Sequence, residues 1–261
     1  MDEKISLVGQ YLKFNLKAAW EYRAAFFIQV FGMMLNNASF IIFWAVLFGH
    51  RSEIGGYGFE QVMFLWALAA FGFGMAEVFL GNWMNVSSII FRGELDVYLL
   101  QPRNVPLNLL SSRMKISGWG DVLFGLGLYF LTQRLSIGSV ALFFYCSALA
   151  GIIMAAVNLF YQSLTFYVGR AEEIAHLSIN SMLSFSTYPG GLFTGGVRLL
   201  LTTLMPVVWI AYIPAELSME FSWIRLLQLT LADGAILLVC LGFFYLGLRK
   251  YESGNLMGTR L

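Results

Sequence analysis

A chain of 261 residues is long enough for one or two soluble domains, but 59% of this one is hydrophobic and only 12% is charged. Soluble domains carry roughly 25% charged residues, and a net charge of +1 without a basic patch offers nucleic acid no footprint. The apolar residues gather into blocks, with no charge from Ala24 to Gly49 or from Leu135 to Gly169. A helix needs about 20 apolar residues to cross the hydrocarbon core, so these blocks predict an all-α integral membrane protein.

In chain order, residues 1–22 predict an amphipathic helix. Ile5, Val8, Leu12, Leu16 and Ala19 share one face, and Lys4, Lys13, Lys17 and Glu21 stand off it. Such a helix suits the membrane interface, or else packs as a solvated helix on a partner. Lys13, Lys17 and Glu21 also break up any signal-peptide core. The first span is expected over 24–48, a polar turn from His50 to Tyr57, and the second span over 60–84 with an acid, Glu77, in its interior. Residues 85–116 form the longest polar stretch. The third span, 117–134, is short and bounded by Asp121 and Arg134; a tight turn at Ser136 to Ser139 leads to the fourth, 140–168. A charged turn with Arg170, Glu172, Glu173 and His176 precedes the fifth span, 172–188.

The stretch 189–217 is punctuated by Pro189, Gly190, Gly191, Gly195, Gly196, Pro206 and Pro214. Proline ends or kinks helices. Two short apolar helices, 192–204 and 207–217, are therefore expected to enter the outer leaflet and return, which backbone tolerates only where protein or water satisfies it. The last span is expected over 224–248, followed by a basic tail with Arg249, Lys250 and Arg260. With both termini cytoplasmic, twelve Lys and Arg lie inside and four (Arg51, Arg134, Arg198, Arg225) outside, together the sixteen in the chain. This bias fixes the orientation and an even number of spans, six.

No Gly-Lys dipeptide is present, which excludes a Walker A loop. The two histidines, His50 and His176, lie in separate loops on opposite sides, and no Gly-x-Ser-x-Gly elbow exists. Cys146 and Cys240 sit in apolar stretches and read as small packing residues. The segment Arg92-Gly93-Glu94-Leu95-Asp96-Val97-Tyr98-Leu99-Leu100-Gln101-Pro102-Arg103-Asn104-Val105-Pro106 reads as a short inner-surface helix, with Leu95, Leu99 and Leu100 on one face. It either offers charges to a soluble partner or simply anchors a loop at the headgroups.

That segment, with its Gly-Glu-Leu-Asp start, Leu-Leu and closing Pro-x-x-x-Pro, resembles the permease subunits of the ABC-2 exporter superfamily, in its branch of six-helix bacterial permeases. The proline-punctuated stretch Tyr188-Pro189-Gly190-Gly191-Leu192-Phe193, Arg198-Leu199-Leu200-Leu201, Pro206 and Tyr212-Ile213-Pro214-Ala215 is similar to the same family. The resemblance implies a single transmembrane domain over 1–261 of the type V exporter kind in the bacterial inner membrane. It implies a separate ATPase subunit that carries the ATP and Mg, no cofactor on this chain, and a second permease subunit, identical or paralogous. The N-terminal helix and residues 93–101 would meet the ATPase, with Arg92, Glu94, Leu95, Asp96 and Arg103 at the coupling surface. The broken helices would plug the outer side.

Polar residues within spans add candidates. Asn158, Gln162 and Thr165 form one stripe and Ser178, Ser181 and Ser184 another, suited to a substrate path or to interhelical hydrogen bonds. Asp233 is an acid within the last span, facing a partner or wet cavity, or paired near the interface with Arg225. Glu77 and Asp121 read as structural residues near headgroup depth. Trp20, Trp83, Trp119, Trp209 and Trp223 read as an interfacial belt. The leading function is export of amphiphilic small molecules such as drugs or toxic organic cations. A lipid, glycolipid or polymer cargo is the alternative within transport, and an intramembrane enzyme or membrane scaffold is the alternative outside it.

Overall fold

The computed structural model describes residues 7–133 and 136–252. Lys4, Ile5, Arg134 and Arg260, which entered the sequence reading, lie outside the described residues. The described residues are helical throughout, apart from one isolated bridge between Ile54 and Tyr57. That bridge closes a tight turn in which Gly55 and Gly56 both take positive φ, at 59° and 81°, the conformation glycine adopts without strain.

The elements run α1 (Leu7–Glu21), α2 (Arg23–His50), α3 (Phe59–Leu80), a 3₁₀ turn (Gly81–Asn85), α4 (Val86–Phe91), α5 (Asp96–Leu99), α6 (Val105–Ser111) and α7 (Ser117–Thr132). They continue with α8 (Ile137–Ser163), α9 (Thr165–Val168), α10 (Glu172–Ser186), a second 3₁₀ turn (Gly190–Leu192), α11 (Gly195–Thr203), a π-helical turn (Val208–Tyr212), α12 (Ile213–Met219) and α13 (Trp223–Leu248).

Four stretches are long and apolar enough to cross a membrane: Arg23–His50, Phe59–Phe91, Ile137–Val168 and Trp223–Leu248. They correspond to the first, second, fourth and last expected spans. The third and fifth are helical but short, 16 residues in α7 and 15 in α10. Within the proline-rich stretch, α11 and the segment Val208–Met219 meet at 82°.

α3 is the axis of the bundle: 83% of its apolar window is buried, against 17% for α2 and 22% for α13. It is apolar all round, as a helix enclosed by others must be. α7 and α8 pack on it most extensively, α2 packs on α7, and α10 and α13 pack on α8. Small residues make these crossings possible. A Cβ on Gly74 would lie 2.7 Å from the Gly118 carbonyl oxygen and 2.7 Å from the Val122 amide nitrogen of α7. A Cβ on Gly72 would lie 2.9 Å from the Ser147 carbonyl oxygen of α8. In lipid no hydrophobic force draws helices together, so close backbone approach and dispersion must do so. Above these crossings, Tyr129 of α7 stacks on Phe143 of α8 with centroids 4.0 Å apart.

Of the five tryptophans read as a belt, Trp20 and Trp223 are exposed, but Trp83 is fully buried and packs on Phe73. The 3₁₀ turn that ends α3 directs its ring inward, so proximity to a span end did not place it at the interface. Cys146 and Cys240 are buried free thiols.

Two glycines of α7 separate close packing from mere helix composition. A Cβ on Gly125 would lie 2.6 Å from the Phe71 amide nitrogen, whereas one on Gly127 would meet nothing within 4 Å. Gly125→Leu is expected to destabilise the purified protein by about 1–3 kcal/mol, read as a lowered midpoint of thermal unfolding. Gly127→Leu should leave that midpoint unchanged or slightly raised.

Candidate functional site

The segment 92–106 is built as a reversal. α4 ends in a left-handed glycine, Gly93 at φ 73°; Gly93 N donates to Ile90 O at 3.2 Å and Glu94 N to Ile89 O at 3.0 Å. That pair of bonds satisfies the last carbonyls of the helix and turns the chain sharply. Leu95 is then fully buried, Asp96 half-buried, and Glu94, Arg92 and Arg103 exposed. Arg92 and Glu94 stand 3.9 Å apart at the surface. The expected common face of Leu95, Leu99 and Leu100 is not formed. Leu95 enters the core while Leu100 is 86% exposed, because the helix there is a single turn of four residues.

Hydrogen bonds join this segment to both ends of the chain. Asn108 of α6 accepts from the Tyr11 hydroxyl of α1 at 2.8 Å and donates to Gln101 at 3.1 Å. Asn104 donates to the Tyr245 hydroxyl of α13 at 3.2 Å, and its own side chain caps α6 by accepting from Leu107 N at 3.1 Å. Just past α13, burial and the neighbouring Asp96 carboxylate push the Tyr251 hydroxyl above its usual range. α1, the 92–111 region and the end of α13 therefore form one connected face.

Above that face, the 3₁₀ turn after α3 leaves backbone groups without helical partners. The stripe on α8 satisfies them. Asn158 donates to Trp83 O at 3.0 Å, Gln162 donates to Met84 O at 3.1 Å and accepts from Ser87 N at 2.8 Å, and Thr165 pairs with the Ser87 hydroxyl at 2.7 Å. All three side chains are buried. Glu77, expected near headgroup depth, is 2% exposed and anchors the start of α7, accepting from Lys115 at 2.7 Å and from Ser117 at 3.1 Å.

The serine stripe of α10 divides. Ser178 is buried, Ser181 half-buried, and Ser184 exposed, bonded to Asn180 O at 2.9 Å. Asp233 is 2% exposed and its Oδ1 has no hydrogen-bond partner among the described residues. The alternative pairing with Arg225 is not formed: Arg225 binds Glu216 at 3.1 Å. Around the proline-punctuated stretch Tyr161 donates to Leu204 O at 3.0 Å and Tyr212 to Phe185 O at 2.7 Å, which ties the bent pair to α8 and α10.

A cavity of about 520 Å³ lies between α2, α3, α7 and α10. Ser184 alone of the sequence-picked path residues lines it. At its base Asn37 donates to Asp121 Oδ1 at 2.6 Å, with both residues buried. Asn37 was not singled out from sequence. Its signal was an Asn36-Asn37 pair in the middle of an otherwise apolar span, since polar groups there seek a partner across helices.

Residues 34–255 match the family model of the ABC-2 family transporter proteins. The chain belongs to that family. Comparison with curated proteins and with solved structures returns no match. Membership makes this ABC-2 chain a multi-pass membrane component of an ABC transporter, a system whose ATPase is a partner of the membrane domain.

The role of the α8 stripe can be measured. Gln162→Leu would strand the Ser87 N–H and the Met84 carbonyl, at about 1–2 kcal/mol. The loss is expected in SDS-titrated unfolding, with Ser184→Ala unchanged.

Proposed function

We propose that this chain is the permease subunit of an ATP-driven exporter that moves an amphiphilic small molecule out across the bacterial cytoplasmic membrane. It acts as a single transmembrane domain with both termini cytoplasmic and six crossings, α7 and α10 serving as short spans. ATP and Mg belong to a separate ATPase subunit, and this chain contributes no covalent chemistry. A second permease, identical or paralogous, completes the assembly and covers the exposed flank of α2.

The observation that carries this reading is the connected inner face. Tyr11, Asn108, Gln101 and Asn104 knit α1, α6 and α13 together, while Arg92, Glu94 and Arg103 project charge outward. A face of this kind supports docking of a soluble ATPase. Leu95 roots the turn in the core, so a push on Glu94 or Asp96 is carried to the helices rather than lost in a loop. ATP-driven closure of the ATPases would move this face and open an outward path. The cavity between α2, α3, α7 and α10 is the proposed half of that path, with Ser184 on its wall. Asn158, Gln162, Thr165, Ser178, Ser181 and Asp233, the other path candidates, lie outside its lining. The bent pair, α11 with Val208–Met219, is the proposed outer plug.

A lipid cargo is the second reading. It is favoured by a cleft of about 550 Å³ between α3, α6, α8 and α13, lined almost wholly by apolar side chains such as Met75, Leu110 and Leu237.

Co-expression with an ABC ATPase encoded beside this chain should give a stable complex whose ATP hydrolysis rises with drug-like amphiphiles. Stimulation by lipid alone would select the second reading, and failure to capture any ATPase would remove the exporter reading. The double variant Glu94→Lys, Asp96→Lys is expected to insert and assemble yet to hydrolyse ATP without transport. Wild-type transport by that variant would remove the coupling role.

A further inference from the structure

The cavity between α2, α3, α7 and α10 has a more specific chemistry than a path for amphiphiles in general. Its base holds one carboxyl group, Asp121, which is 4% exposed. One oxygen is engaged by Asn37 at 2.6 Å, and the other is fully buried without a hydrogen-bond partner among the described residues. Among the described residues no Lys, Arg or His lines the cavity. The cation at the start of α7, Lys115, is bound to Glu77 at 2.7 Å. The walls are aromatic. Phe40 stacks on Trp66 with centroids 5.0 Å apart, and Trp44 meets Tyr188 edge to face at 5.3 Å. Phe40 and Tyr188 are 46% and 40% exposed, whereas the acid is buried.

Each class of ligand would meet these groups differently. An ionisable residue inside a membrane bundle marks a partner or a pathway. An anion would face both the carboxylate and the negative faces of the rings. A neutral amphiphile would leave the second Asp121 oxygen unsatisfied in a low-dielectric site. A cation would be held by the charge of the carboxylate and lie against the ring faces, an attraction that strengthens on desolvation. The volume is that of a small-molecule site.

We propose that this cavity is a recognition site for an amphiphilic organic cation, a quaternary or protonated amine or its phosphonium equivalent. Asp121 is its counter-ion, and the Phe40–Trp66 and Trp44–Tyr188 pairs are its walls. The proposal rests on the permease reading only for the transport step after binding; the binding chemistry stands on the cavity itself.

Two ions of nearly the same shape and opposite charge test it. Purified full-length protein in nanodiscs is titrated with tetraphenylphosphonium and, separately, with tetraphenylborate, and tryptophan fluorescence is followed. Saturable quenching is expected for the phosphonium and none for the borate. Asp121→Asn should weaken phosphonium binding roughly tenfold or more. The exchange variant Asn37→Asp, Asp121→Asn keeps one carboxylate in the pair and should recover most of the affinity. Equal binding of the two ions, or unchanged affinity in Asp121→Asn, would overturn the site. If Asp121→Asn does not yield folded protein, the wild-type comparison of the two ions decides alone. Selective phosphonium binding by a chain that captures no ATPase would keep the cation site and remove the transport reading. Drug-stimulated hydrolysis without selective phosphonium binding would do the reverse.

Discussion

The close approach of two helices, α7 and α8, to α3 is the constraint on which the other features depend. Gly74 against Gly118 and Gly72 against Ser147 and Gly151 bring backbones into contact on two sides of one helix. Dispersion falls steeply with distance, so a bundle held this way has little tolerance for a side chain at the crossing. The same contact brings α7 to the flank of α3 at a fixed height. Gly120 of α7 in turn receives the backbone of α2 at Val30. Asn37 and Asp121 can meet at 2.6 Å only because those two glycine-mediated approaches have already set the spacing.

The second organising feature is the place where the long Phe59–Phe91 segment stops being an α-helix. Five residues of 3₁₀ turn expose carbonyls and amides that hydrocarbon cannot satisfy. Asn158 and Gln162 of α8 meet the Trp83 and Met84 carbonyls, and Thr165 of α9 pairs with the Ser87 hydroxyl just beyond. The connected face of α1, α6 and α13 begins after α4, at the left-handed Gly93. Membrane-embedded and surface-exposed parts are thus separated by one short helix, α4, whose two ends are both pinned by hydrogen bonds.

Long apolar runs with few charges made four of the membrane helices legible in the sequence, since hydropathy is a sum over the helix itself. Prolines and glycines between 189 and 214 marked the interruption, although α11 begins at Gly195 and not at Leu192. What could not be read was which way polar residues point. Asn158 and Gln162 carry the same pattern whether they line a path or hold a neighbouring backbone, and only the position of the 3₁₀ turn on another helix decides. Asp121 illustrates the converse. Its distance from a predicted span end suggested headgroup depth, but burial was set by α2 crossing over it. Trp83 went inward for a different reason, a local backbone change that periodicity does not report.

The short helices α7 and α10 carry a consequence for how the protein is made. Each is shorter than a self-sufficient membrane segment, and α10 begins with Glu172 and Glu173. Alone in lipid, such segments have too little apolar surface to hold a crossing against their polar groups. They gain it from helices already in place: α3, the chain's earlier neighbour, for α7, and α8 for α10. For each short helix that partner precedes it in the chain, so the surface on which it docks is already made when the short helix emerges.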